Sequence, residues 1–281
     1  MLASQRHEHI LAQIREHGAV RISELTVALD VSDMTVRRDL VELAERGLVR
    51  KVHGGAVAPH TTSHEPGFAV KSTLATAEKQ AIAVAAAQLV APGSSIALGA
   101  GTTTHLLAQA LVALPAVRPL TVVTNSVPVA ETFHRAGDPR IETLLTGGAR
   151  TPSDALVGPI AESSLAELRV DHVFLGTHGV SVEAGLTTPN LDEAATNRAM
   201  IASGAQTVVL ADHTKWQTTG LRVFATLAEV DVLVTDTGLA PADQEEVRAL
   251  VERLVLAPTP TAPSPAGTPA GSTPQTEGTT R

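Results

Sequence analysis

Two arginines stand side by side at positions 37 and 38, inside the stretch VSDMTVRRDLVELAERG. The stretch carries the marks of a helix. Ser32 can cap it, Asp33 suits its positive end, and Gly47 can close it in the left-handed conformation. Cations in the first half of a helix oppose its dipole, at a cost of about 0.3–1 kcal/mol. A guanidinium fork on phosphate, or on the edge of a guanine, is worth about 1–3 kcal/mol. The pair makes sense if this end of the helix meets a polyanion. Ser32 and Thr35 can add neutral hydrogen bonds, and Arg50, Lys51 and His53 lie a few residues on. The competing explanation is ordinary ion pairing: Arg38 and Glu42 are four residues apart, worth about 0.2–0.5 kcal/mol.

A second set of chemistry-bearing residues follows short apolar runs further along: LGAGTTTH, TNS, TGGAR, GTHG and ADHTK. Glycines let a ligand approach the backbone closely, and a helix start holds anions on its free N–H groups. Gly99, Gly101, Thr102, Thr103 and Thr104 fit a phosphate cradle, Lys215 adds a point charge, and Thr124, Asn125 and Ser126 suit sugar hydroxyls. The glycine turn lacks the Gly-Lys-Ser/Thr of a P-loop. Thr104 stands where a dinucleotide fingerprint needs its third glycine, and no acidic residue closes the next strand. A small phosphorylated polyol is the expected ligand; a purely structural glycine turn is the alternative. The chain has 11 histidines but no HExxH, and His105, His134, His172, His178 and His213 fall on separate elements. No metal site and no cofactor are expected.

The elements that must position these groups divide the chain. Residues 1–57 read as three helices and a hairpin. Ile10, Leu11 and Ile14 mark the first helix; Leu25, Ala28 and Leu29, with Ser23 as cap, mark the second; Val36, Leu40 and Leu43 mark the third. LVRKVHGGAV then reads as two short strands about a tight turn. This is the pattern of a winged helix-turn-helix, whose second paired helix enters the major groove. Residues 58–77 read as a linker, with some order expected near Phe68. Residues 78–256 alternate helices with the candidate strands SSIALG, LTVVTN, IETLLTG, DHVFLG, QTVVLAD and VDVLVTD, which indicates a largely parallel α/β sheet covered on both faces. A last helix is expected near 241–254. The Pro/Thr/Ser/Gly-rich tail, 257–281, has nothing to bury and is expected to be disordered.

Bulk properties narrow the classes. The 281 residues carry a net charge of −8, but residues 1–60 hold eight cations and eight anions while the remainder holds thirteen and twenty-one. The acidity therefore lies behind the front module, and overall charge does not argue against nucleic-acid binding. With no cysteine there is no disulfide framework and no cysteine-ligated zinc. The amphipathic N-terminus does not read as a signal peptide, and no apolar run reaches the roughly 18–20 residues of a membrane span. A cytoplasmic protein without membrane contact is expected.

The stretch TVRRDLVELAERGLVRKVHGGA, with Arg6, His7 and Ile10 ahead of it, resembles the N-terminal signature of the DeoR family of bacterial transcriptional regulators. The pieces GTTT, TNS, TGG, FLGTHGV, GLTTPN, EAATNRAM and ADHTK resemble the family's C-terminal sensor domain, similar in fold to ribose-5-phosphate isomerase and CoA-transferase-type domains. The resemblance implies a winged-helix DNA-binding domain, an effector-sensing domain and an oligomeric repressor, dimer or tetramer, with operator DNA and a small phosphorylated sugar as partners. It implies effector contacts at Gly101 to Thr104, Asn125, Gly147, Gly148, Glu193 and Lys215. The family often has Lys where this chain has Asn197. A sugar-phosphate isomerase, with Glu193, Asp212 and Lys215 as its working groups, is the alternative function.

Overall fold

A computed structural model describes residues 2–17, 19–46, 48–52, 54–57 and 67–259. Gly47, His53, residues 58–66 of the expected linker and the tail from 260 lie outside the described residues.

The front module begins with α1 (Ala3–His17), β1 (Ala19–Arg21), α2 (Ile22–Leu29) and α3 (Asp33–Glu45). Ser32 caps α3 as expected: its hydroxyl accepts the Thr35 N–H at 3.2 Å. Val36, Leu40 and Leu43 repeat at helical spacing and are buried against Ile10, Ile14 and Leu25. Two expectations for α2 fail. Its N-cap position is held by Arg21 without a side-chain bond, so Ser23 sits inside the helix, and Ile22, not the exposed Ala28, completes the buried face. The reason is β1, an element missing from the sequence reading: it keeps the chain extended up to Arg21 and delays the helix start.

β1 pairs antiparallel with β3 (Gly55–Val57), which pairs in turn with β2 (Arg50–Val52). Gly55 is required here, because a Cβ would lie 2.1 Å from the Val20 carbonyl oxygen. The Ile22 N–H also donates to the Gly54 carbonyl at 2.9 Å, tying the start of α2 to the wing turn. α1 and α3 are joined by a buried clamp. Arg6 Nε and Nη2 donate to Asp39 Oδ2 and Oδ1 at 2.7 and 2.9 Å, and His7 Nε2 lies 3.2 Å from Oδ1. Burial alone would raise the Asp39 pKa; the bonds from Arg6 and His7 outweigh it and hold the carboxyl below its usual range.

After the one-turn α4 (Phe68–Lys71) comes α5 (Thr76–Ala87), then the large α/β domain. Its chain order is β4 (Ser95–Leu98), α6 (Thr102–Val112), β5 (Leu120–Thr124), α7 (Val127–Ala136), β6 (Ile141–Leu145), β7 (Ala149–Arg150), β8 (Leu156–Val157) and α8 (Pro159–Ala166). It continues with β9 (Val170–Gly176), β10 (Gly179–Ser181), β11 (Gly185–Thr188), α9 (Leu191–Ser203), β12 (Gly204–Leu210), β13 (Arg222–Ala225), β14 (Val232–Asp236), α10 (Pro241–Arg248) and β15 (Arg253–Ala257). Seven strands form one parallel sheet in the order β15-β14-β12-β9-β4-β5-β6. The two faces of the sheet carry separate apolar cores, one under α5 and α6, the other under α9 and the small sheet β10-β11-β13.

All six expected strands belong to the parallel sheet. The expected helix over 241–254 stops at Arg248, and Arg253–Ala257 instead extends the sheet beside β14, with Ala257 buried. The expected tail therefore begins too early. The apolar residues of VERLVLA suit a helix face as well as a strand, and the open edge of β14 decides between them. Among the described residues, no helix is long and apolar enough to cross a membrane.

Candidate nucleic-acid interface and anion pocket

The first turns of α3 present Ser32, Met34, Arg37 and Arg38 to solvent, with Thr35 half-buried between them. Met34 is 74% exposed, unusual for an apolar side chain, and shares a shallow depression with Thr35, Arg37 and Arg38. The ion pair that forms is not Arg38 with Glu42. Arg37 forks onto Asp33, Nε to Oδ1 at 2.7 Å and Nη2 to Oδ2 at 3.3 Å, while Arg38 has no acidic partner among the described residues. The two arginines are thus unequal: one is pre-oriented by a carboxylate in the first turn, the other is free to swing.

The two wing cations differ as well. Lys51 is exposed on β2. Arg50 is half-buried at the base of the hairpin, opposite Val57, and its Nε is buried with no hydrogen-bond partner among the described residues. Burial lowers its pKa, and the negative charge of Asp212 in the large domain partly restores it. Arg50 thus sits at the junction between the two modules rather than at the wing tip.

In the parallel sheet, β4 is followed by β5 and β6 on one side, while β9 is followed by β12, β14 and β15 on the other. The strand order reverses between β4 and β9, the place where open α/β sheets bind ligands beyond their strand ends. A cleft opens there. Ala100 to Thr103 line it after β4, Gly176 to His178 after β9, and Ala211, Asp212 and Lys215 after β12. Gly101 makes the turn from β4 into α6 with φ +148°, a conformation side chains rarely adopt, and Gly101, Thr102 and Thr103 bring the start of α6 to the cleft.

Three lysines line this cleft, Lys71, Lys79 and Lys215, against two carboxylates, Glu193 and Asp212. Lys79 is only 4% exposed. Its ammonium donates to the Lys71 carbonyl at 2.6 Å. Burial brings its pKa down to about 8, opposed by Asp212 and reinforced by Lys215 and Lys71. Asp212 is almost fully buried, which would raise its pKa; Lys215, the Thr214 hydroxyl and Lys79 overcome this and keep it ionised. Glu193 Oε1 accepts the Thr151 hydroxyl at 2.6 Å. Asn190 caps α9, its Oδ1 taking the Asp192 and Glu193 N–H groups at 2.9 and 3.1 Å, which fixes Glu193 in the first turn.

The structure separates the expected ligand contacts into two groups. Gly101, Thr102, Thr103, Glu193 and Lys215 line the cleft, with Asn197 beside them. The others hold the loops that shape it. A Cβ on Gly99 would lie 2.6 Å from Leu175 Cδ2. The Thr104 hydroxyl bonds the Gly101 carbonyl at 3.0 Å, and that of Thr124 the Leu98 carbonyl at 2.6 Å. Asn125 is spent at both ends, accepting the Ala100 N–H at 3.0 Å and donating to the Leu156 carbonyl at 3.1 Å. Ser126 caps α7, and Gly147 and Gly148 turn the chain into β7, with Gly148 against the Val157 backbone. Sequence reasoning missed Lys71 and Lys79. For Lys79 a signal was present: it shares a helix face with Ile82, Ala83 and Ala86, and a lysine on an apolar stripe needs a reason. Lys71 lies inside the stretch expected to be a linker, 58–77, which instead forms α4 at Phe68–Lys71, and had none.

Residues 6–62 match the family model described as a DeoR-like helix-turn-helix domain, and residues 74–237 match the DeoR C-terminal sensor domain. The chain is 37% identical over 254 residues to the uncharacterised HTH-type transcriptional regulator YgbI of Escherichia coli (strain K12), covering 90% of this chain and 96% of that protein. It is 34% identical over 248 residues to the lactose phosphotransferase system repressor of Staphylococcus aureus (strain NCTC 8325 / PS 47), covering 88% and 95%. Among solved structures it overlays on ribose 5-phosphate isomerase from Plasmodium falciparum at TM-score 0.37, with 17% identity over 51% of this chain and 54% of that one. The capped helix with its two exposed arginines, the wing and the sensor sheet thus belong together: the chain is a member of the DeoR family of helix-turn-helix, DNA-binding transcriptional regulators.

Proposed function

We propose that the protein is a repressor of sugar-metabolism genes, released from operator DNA by a phosphorylated sugar or sugar derivative. The observation that carries the proposal is the convergence of Lys79 and Lys215 on the cleft where the Gly101 turn aims the start of α6. Backbone N–H groups and cations meeting at one point suit a phosphate. Glu193, Asn197 and Thr188, which also line the cleft, suit hydroxyls. The printed name of the staphylococcal relative, a lactose phosphotransferase system repressor, agrees with a sugar-related effector.

On the front module, Ser32, Thr35, Arg37 and Arg38 would meet base edges and phosphates in the major groove, and Lys51 and His53 the adjacent backbone. Two copies about a two-fold axis would place two α3 helices on two half-sites, as a homodimer or within a homotetramer. The setting would be the cytoplasm, where the DNA is. The effector must bind the DNA-free state more tightly, because only a differential affinity moves the equilibrium.

Lys215→Ala is the test. It should leave operator binding intact in a gel shift on DNA selected for binding, and abolish release by the sugar phosphate that releases the parent chain. A variant that responds normally would remove Lys215 from the site. Incubation with sugar phosphates should give no turnover. Multiple turnovers at enzymatic rates would favour the isomerase instead.

A further inference from the structure

The chain re-enters the described structure at Gly67 and forms α4 at once, directly after the segment that leaves the wing. This single turn has two working sides. On one, the Phe68 N–H donates to the Pro152 carbonyl at 3.2 Å and Lys71 Nζ donates to Ser153 Oγ at 3.1 Å. Lys71 and Ser153 both line the cleft, and the Lys71 carbonyl receives the buried Lys79 ammonium. On the other side, Ala69 and Val70, with Thr73 and Leu74 just beyond, form one wall of a groove. The opposite wall is made by Glu24, Leu25 and Ala28 of α2 and by Gln13 of α1. α2 packs directly on α3.

We propose that Lys71 is an anion-binding residue of the cleft, and that α4 carries the occupancy of the cleft to α2. The proposal rests on the reading of the cleft as a phosphate site. Lys71 lines the cleft with Lys79 and Lys215, so a dianion there meets a third ammonium, and a charge-assisted bond is about twice as strong as a neutral one. A one-turn helix has little stability of its own, so its position is set by what its ends are tied to. Lys71 is tied at both its side chain and its carbonyl, and both ties run to groups lining the cleft. A change in where the Lys71 ammonium rests therefore moves the whole turn. The groove side, where Ala69 and Val70 face α2, is where the movement would be expressed.

The chain contains no cysteine, so Ala69→Cys gives one attachment point for an environment-sensitive fluorophore on the groove wall. The labelled full-length protein is titrated with inorganic phosphate, ribose 5-phosphate and fructose 1-phosphate, with thermal melting in parallel. The expected result is an emission change whose half-saturation matches the melting shift. Lys71→Gln and Lys71→Met, in the same labelled background, should raise that half-saturation at least tenfold; either variant that melts cooperatively decides. Titration within twofold of the parent would overturn the role of Lys71. A silent label while melting reports binding would overturn the transmission. If none of the three probes raises the melting temperature of the unsubstituted chain, the phosphate reading of the cleft falls, and this inference with it.

Discussion

The front module and the large domain handle their charges in opposite ways. On α3 the arginines stand in water, within seven residues of the cap, and reach outward. In the cleft, Lys79 and Asp212 are taken out of water, and the lining comes from loops after three different strands as well as from α4, α5 and α9. On the proposed reading, the difference follows from the size of the partner. A duplex brings a dense row of phosphates to an exposed surface and supplies its own desolvation on docking. A small anion has too few groups for that and must be surrounded. Exposed charge is weakened by salt beyond a Debye length of about 8 Å at physiological ionic strength, whereas enclosed charge is screened far less.

This contrast can be tested, beginning where the effect should be largest. Asp39→Ala removes the shared partner of Arg6 and His7, and should lower the denaturant midpoint of the front module more than any other substitution named here. Its pKa is lowered by folding, so its contribution is present above the unfolded value near 3.9 and disappears as pH falls through the folded one. Acid melts of the front module should lose part of their dependence on pH in the variant. Arg37→Ala and Arg38→Ala should each weaken operator binding by about 1–3 kcal/mol, roughly fivefold to 150-fold, with little change in melting temperature. An arginine on a phosphate should also reduce the salt slope by about one, and one on a base edge should relax sequence preference, which tells their roles apart. Gly55→Ala drives a methyl into the Val20 carbonyl and should cost about 1–3 kcal/mol without touching the cleft.

The smallest effect belongs to the cleft. Lys79 faces Asp212, Lys215, Lys71 and Glu78, and its pKa is about 8. Affinity for a phosphate dianion should fall about twofold between pH 7 and 8 as this ammonium loses its proton, and more steeply above, readable by calorimetry. Lys79→Met should flatten that profile. In the ligand-free protein the sign is opposite: the unfolded chain binds the proton more tightly, so stability should rise with pH between about 8 and the ordinary lysine value.

How much of this was legible in the sequence differs between the same two regions. In the front module the signals are local. Ser32, the period of Val36, Leu40 and Leu43, and the hairpin after Val49 each speak for themselves, and the structure places them as read. Only β1 was hidden, because three residues carry no periodicity and their pairing partner lies more than thirty residues away. In the large domain six of the seven strands of the parallel sheet were visible as short apolar runs. Their ends were visible as glycine and hydroxyl loops. What could not be read was which polar group faces the ligand and which faces the protein. TNS looks like sugar-binding chemistry, yet Thr124 and Asn125 spend their hydrogen bonds on the Leu98, Ala100 and Leu156 backbones. A hydroxyl one position to either side of a strand end can do either job, and only the three-dimensional packing assigns it.

The stitching of β1 to β3, and of the Ile22 N–H to the Gly54 carbonyl, has a mechanical corollary. Wing and reading helix are fastened to each other through the linker between α1 and α2, so neither can bend away while the other stays on the duplex. The head must tilt as one part, like a stamp lifted by its handle. On the proposed reading, a signal from the sensor would have only to change the angle of that handle for the groove contacts to be lost together.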